Sequence, residues 1–154
     1  LLKLLVIGIG NPARGDDALG PRLIERLTER HLPAVELLTD YQLQIEYLLD
    51  LHARSAVIFV DASVTCQEPF EYSPVSARQD NSHSTHAMSP EAVLNAYAAH
   101  YRSTPPTACL LAIRGYSFAL GDALSDRAAS NLDAAEAFVL GVLDGLIATI
   151  TDPA

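Results

Sequence analysis

Asp16 and Asp17 in a glycine-rich stretch, Asp61 after an apolar run, and His83 and His86 in a polar segment are the side chains of this 154-residue protein best placed for chemistry. Carboxylates and imidazoles bind borderline divalent metals, and two carboxylates held together divide general acid and base work between them. Convergence of Asp17, Asp61 and His86 would make a site of two oxygens and one nitrogen with open positions, suited to nickel or zinc among others. Each residue also has a plainer reading. An aspartate ahead of a helix usually caps it, and one at a strand end often serves a turn. His31, His52 and His100 fall at or near predicted helix ends, where imidazole is commonly a capping or surface group. His83 and His86 instead share a loop that is long for a mere connection. The serines and the two cysteines, Cys66 and Cys109, lack an evident paired histidine and acid, so no nucleophile constellation stands out.

The first loop has a second reading. Gly8-x-Gly10-x-x-Ala13 satisfies a relaxed dinucleotide-binding fingerprint, and Asp40 ends the next strand where a ribose-binding acid would sit. A pyrophosphate needs free backbone N–H groups at a helix start unshielded by negative charge. Here Pro12 removes one donor, and Asp16 and Asp17 occupy the approach. Such a loop repels phosphate and welcomes a cation. A dinucleotide-binding module is therefore the runner-up.

The elements that must position these residues follow from periodicity. Residues 3–8, 56–60 and 108–113 are continuous apolar runs, the mark of strands buried on both faces. Residues 35–39 read as a further strand, and 70–75, which contains Pro74, as an edge strand. Leu19, Leu23, Ile24 and Leu27 recur at helical spacing, and Leu43, Ile45, Leu48 and Leu49 predict a second helix. Residues 77–88 read as a loop, and Ser89-Pro90 as a helix start with a hydroxyl cap and proline at the first position. Ser125-Asp126 opens a long helix with a stripe from Leu132 through Ala135, Phe138, Val139, Val142, Leu143, Leu146 and Ile147 to Ile150. Strands alternating with helices predict an α/β protein with a mostly parallel sheet covered on both faces. Ligands of such sheets sit beyond the carboxyl ends of the strands, where the loops carrying Asp17, Asp40 and Asp61 must lie. No repeat or linker interrupts residues 1–154, which read as a single domain.

Composition narrows the partners. With 49% apolar and 19% charged residues, the chain falls among ordinary globular proteins. A net charge of −9 argues against nucleic acid, whose phosphates are bound by Lys and Arg, and keeps open a basic or cation-bearing partner. No uninterrupted apolar stretch has the length of a membrane span, and Leu1-Leu2-Lys3 lacks the features of a signal peptide. Two isolated cysteines suit a reducing compartment, so a cytoplasmic location is expected.

The ordered set Gly8-x-Gly10-Asn11-x-x-Arg14-Gly15-Asp16-Asp17-x-x-Gly20 resembles the opening motif of the hydrogenase maturation proteases. Val60-Asp61-Ala62, Thr85-His86 and the segment Leu110 to Ile113 with Gly121 resemble later motifs of that family, so the resemblance spans nearly the whole chain. It implies a three-layer α/β/α sandwich of the phosphorylase/hydrolase-like kind. It implies one cut, releasing the C-terminal extension of a nickel–iron hydrogenase large-subunit precursor after nickel insertion. Asp17, Asp61 and His86 fall on the family's nickel-contacting positions and are the catalytic and metal residues it implies. The nickel would be carried by the precursor, and the protease would act as a monomer. Many members have an Asp-Gly-Gly-Thr-like loop where this chain has Asp40-Tyr41-Gln42-Leu43-Gln44. The bulkier loop should reshape the cleft that accepts substrate, with Asp40 and Gln42 as binding residues. Two mechanisms stay open: cleavage through a metal-polarised carbonyl or metal-activated water, and acid/base work by Asp17 and Asp61. A non-catalytic chaperone that binds the precursor is a further alternative.

Overall fold

Strand β1, Leu4–Ile9, is buried along its whole length because both of its faces are covered. Its side chains alternate between two cores. Leu4 and Val6 pack with helices α1 (Leu19–Thr28) and α4 (Asp126–Thr151), whereas Leu5, Ile7 and Ile9 pack with α2 (Tyr47–Leu51) and α3 (Pro90–Tyr101). The period-two alternation of a strand thus feeds two helical layers, giving an α/β/α sandwich. This structure, a computed structural model, describes residues 2–79 and 87–151.

Five strands form one sheet in the order β2-β1-β3-β5-β4, with β2 at Val35–Asp40, β3 at Ala56–Ser63, β4 at Phe70–Val75 and β5 at Thr107–Arg114. The β1–β2, β1–β3 and β3–β5 pairs are parallel, and only β4 runs antiparallel, against β5. Pro74 lies in that edge strand, as its missing N–H requires.

Helix α1 buries Leu19, Leu23, Ile24 and Leu27 on one stripe. Ser89 caps α3, its hydroxyl accepting from the Ala92 N–H at 3.1 Å. Ser125 does the same for α4 through the Ala128 N–H at 3.2 Å. Helix α4 has the length and hydropathy of a membrane-crossing helix; one stripe of it, Ala128, Leu132, Ala135, Val139 and Leu143, is buried in the core it shares with α1, and most of its apolar stretch is not buried. Ion pairs from Arg26 to Asp133 and Glu136, at 2.6 and 3.1 Å, join the two helices, and Arg30, just past the end of α1, pairs with Glu136 at 3.2 Å. Phe138, expected in the buried stripe, is 36% exposed and packs against the Phe70 and Tyr72 rings.

The second helix is shorter than its apolar spacing predicts. Tight turns from Gln44 to Tyr47, Ile45 to Leu48 and Glu46 to Leu49 precede and enter α2. They rotate Ile45 and Leu49 outward while Leu43, Leu48 and Leu51 are buried. The chain between β2 and α2 therefore follows turn geometry, and the inward set is not the helical one.

Glycine sets how closely α1 approaches the sheet. A methyl group at Gly20 would stand 2.5 Å from the Ile9 carbonyl oxygen and 2.9 Å from that of Val60. Both are backbone atoms of strands buried on two faces, so neither gives way. Alanine inside a helix ordinarily gains about 1 kcal/mol over glycine. The Gly20→Ala variant should instead lose about 2 kcal/mol or more through overpacking, read as a lower urea midpoint with an unchanged slope.

Candidate active site

From β1 the chain reaches β2 through α1 on one face of the sheet, and returns past β1 to β3 through α2 on the other. The carboxyl ends of β1 and β3 therefore flank a topological switch point, where open parallel sheets form their crevices. The loop after β1 passes through a short 3₁₀ turn, Gly15–Ala18, that carries both aspartates of the first motif.

The two aspartates do different work. Asp16 is fully buried. Its Oδ2 accepts hydrogen bonds from the Tyr116 N–H at 2.7 Å, the Ser117 N–H at 3.0 Å and the Ser125 hydroxyl at 2.8 Å. Its Oδ1 accepts from the Ser125 N–H at 2.8 Å. Burial pushes its pKa up, but these donors outweigh burial and hold the carboxyl below its ordinary value. Asp17 accepts from the Asn11 N–H at 2.7 Å and lines an open cleft. Neither carboxylate caps α1, whose first turn has no side-chain cap. The capping expectation therefore fails for that helix.

Gly10 belongs to the same arrangement. It has φ +145°, and a side chain there would meet the Asp17 carbonyl oxygen at 1.9 Å. Asp17 backbone thus fills the space beside Gly10, where a dinucleotide fingerprint would admit a phosphate. Gly8 likewise abuts Gly20 and Ile24 of α1.

Asp61 lies at the end of the buried half of β3 and faces the cleft of Asp17. Burial, then the nearby Asp17 charge, raise its pKa to about 7, against a smaller opposing effect of the Ala62 N–H. The cleft has a volume of about 370 Å³. Ile9, Leu43, Met88 and Pro90 supply apolar lining, Tyr41 and Gln42 come from the loop after β2, and no Lys or Arg among the described residues lines it.

His86 and His83 lie outside the described residues, while Ala87, next in the chain after His86, lines the cleft. Among the described residues, no three His, Cys, Asp or Glu side chains come together as a metal site. His31, His52 and His100 are exposed, and His52 stacks on the Tyr101 ring at 4.2 Å.

Of the loop residues expected to bind substrate, Gln42 lines the cleft and Asp40 lines a neighbouring cavity of about 350 Å³. Asp40 accepts from its neighbour Tyr41 N–H at 2.7 Å and from the Tyr47 hydroxyl at 2.8 Å, and its carbonyl accepts from the Gly10 N–H at 2.9 Å. Burial, and then the Asp40 carboxylate, raise the Tyr47 pKa. Sequence reasoning marked Gly121 and Ser125 in the stretch from Gly115 to Ser125 but missed that Tyr116, Ser117 and Ser125 supply every donor to the Asp16 side chain.

No family model matches the chain. A curated relative, the hydrogenase 2 maturation protease of Escherichia coli (strain K12), is 35% identical over 66 residues. That stretch is 42% of this chain and 40% of the relative, so less than half of either is aligned. Solved structures extend the likeness over the fold. The hydrogenase maturating endopeptidase HybD from E. coli superposes with a TM-score of 0.76 at 25% identity, covering 93% of both chains. The hydrogenase 2 maturation peptidase from Thaumarchaeota archaeon SCGC_AB-539-E09 gives 0.66 at 26% identity, covering 92% of this chain and 97% of that one.

The opposite pKa shifts of Asp16 and Asp61 give opposite pH dependences of stability. Asp16 binds its proton less tightly when folded, so its contribution is present above the ordinary value of 3.8 and is lost as pH falls through the folded pKa. Asp61 binds its proton more tightly when folded, so stability declines as pH rises from 3.8 to about 7 and is level above that. Asp61→Asn should raise stability at pH 8 by about 1–2 kcal/mol and do nothing near pH 3, whereas Asp16→Asn should cost about 2–4 kcal/mol at pH 8. Urea titrations at the two pH values check both signs.

Proposed function

We propose, from its likeness in fold to hydrogenase maturation proteases and in sequence over 66 residues to one of them, that this chain is an endopeptidase. It removes the C-terminal extension of a nickel–iron hydrogenase large-subunit precursor once nickel has been inserted. The observation that carries this reading is the pair Asp17 and Asp61 in one cleft at the switch point of the sheet. The similar proteins are themselves named as maturation proteases and endopeptidases.

The donor set fits a metal arriving with the substrate. A partly desolvated carboxylate beside a second one, in a cleft lined by no described Lys or Arg, is relieved by a cation. In this reading nickel held by the precursor meets Asp17, Asp61 and His86, which registers that insertion is complete and sets the extension in the cleft. When bound there, the metal polarises the scissile carbonyl or a water. The protein's own part is to orient the chain, to exclude solvent along the apolar lining and to present the two carboxylates in fixed positions.

A second mechanism has its own support. A carboxyl with a pKa of about 7 beside an ionised partner is suited to passing a proton at neutral pH. Asp17, as its carboxylate, would then take a proton from the attacking water while Asp61 gives its own to the leaving amine, as in an aspartic-type peptidase. We place the activity in the cytoplasm, in keeping with the free thiols of Cys66 and Cys109, and take the protein to act as a monomer.

Mass spectrometry of nickel-loaded large-subunit precursors, before and after incubation with the protein, tests the reaction. The expected result is loss of one defined C-terminal peptide. Asp17→Asn and Asp61→Asn should each slow trimming by about a hundredfold or more. His86→Ala chooses between mechanisms: a similar loss supports metal contact, and near-normal trimming supports the carboxylate pair. Full trimming by both aspartate variants would overturn the site.

A further inference from the structure

Loop residues 41–43 form one wall of the Asp17–Asp61 cleft, and they differ sharply in exposure. Leu43 is buried, whereas Tyr41 keeps 61% of its surface open to solvent while still lining the cleft. What singles Tyr41 out among exposed apolar groups is that it lines the cleft, where a bound ligand recovers the contact area its ring leaves open. We propose that Tyr41 is a specificity-determining residue. It forms the outer wall of a subsite, beside the two carboxylates, that takes an apolar side chain of the precursor flanking the scissile bond. The inference rests on the protease reading given above.

The chemistry of the cleft selects that occupant. Ile9, Leu43, Met88 and Pro90 line it, so a bulky aliphatic side chain buries apolar surface on both sides. An acidic side chain would meet Asp17 and Asp61 with no described Lys or Arg lining the cleft to offset the repulsion. Apolar is therefore favoured over acidic by two independent effects.

The loop is also held rigidly enough for a wall. The Asp40 carboxylate accepts from both the Tyr41 N–H and the Tyr47 hydroxyl, at 2.7 and 2.8 Å. The Asp40 carbonyl accepts from the Gly10 N–H, and the Leu43 carbonyl from the Met88 N–H at 3.1 Å. The backbone on either side of Tyr41 and Gln42 is thus tied, through Asp40 to the first loop and through Leu43 to the segment before α3. Tyr47 acts through Asp40 and is a positioning residue: it touches the loop from the neighbouring cavity and does not line the cleft.

The test is steady-state trimming of nickel-loaded large-subunit precursors that carry Leu or Asp at each position flanking the cut. Wild-type protein should prefer Leu at one flanking position by on the order of tenfold or more in kcat/KM. Tyr41→Gly should lower that preference to near unity and raise KM for the Leu precursor about tenfold, with kcat within twofold. Tyr47→Phe should give a smaller rise in KM with the same preference lost in part. Leu49→Ala removes a side chain of similar exposure, 60%, away from the cleft and should change nothing. The inference is overturned if Tyr41→Gly retains the wild-type preference, or if Leu49→Ala loses it equally. Failure of the wild-type protein to trim any precursor overturns the protease reading, and this inference with it.

Discussion

Burying a carboxylate without partners costs several kcal/mol, so a chain that seals Asp16 from solvent must deliver donors to it. All four side-chain hydrogen bonds to Asp16 come from one distant stretch, Tyr116 to Ser125, about a hundred residues along the chain. The loop after β1 and the connection from β5 to α4 are consequently one unit. Gly15 N–H reaches the Asp122 carbonyl at 3.1 Å and Gly121 N–H reaches that of Ala13 at 2.8 Å, which adds backbone bonds to the same junction. The start of α4 is set by the same contact, because Ser125 both caps that helix and donates to Asp16. Asp17 follows Asp16 directly, so its place at the cleft is inherited from its neighbour's anchorage.

The resulting division of labour is electrostatic. One aspartate is saturated with donors, and its negative charge is stabilised where it stands. Asp61, by contrast, pairs burial with a nearby like charge and holds its proton to about neutral pH. The fold therefore supplies one carboxylate that is quiet and another that is poised, at the carboxyl ends of two adjacent central strands. The net charge of −9 adds to the negative field that Asp17 and Asp61 place at the cleft.

Much of this architecture was legible from residue order. β1, β3 and β5 showed themselves as apolar runs because strands covered on both faces have no polar side to reveal. Pro74 marked the edge strand through its missing donor, and Ser89 and Ser125 marked helix starts. The α2 region was misread, since tight turns from Gln44 onward rotate Ile45 and Leu49 to solvent, and no period of 3.6 applies there. Asp16 and Asp17 looked alike because what separates them is contributed by residues far away in the chain. The hydrogen bonds from Tyr41 and Tyr47 to the Asp40 carboxylate are a pairing that only the folded loop creates, so residue order gave no sign of them.

The antiparallel edge carries a consequence for behaviour in a crowded solution. A sheet left open at its rim is a template on which an unrelated extended chain can grow, beginning the path to fibrils. In β4, Pro74 breaks the row of donors such a chain would need, and Glu71 adds a charge in the same short strand. The strand farthest from the cleft is thereby spoiled as a seed, and a passing extended chain is poorly held along β4.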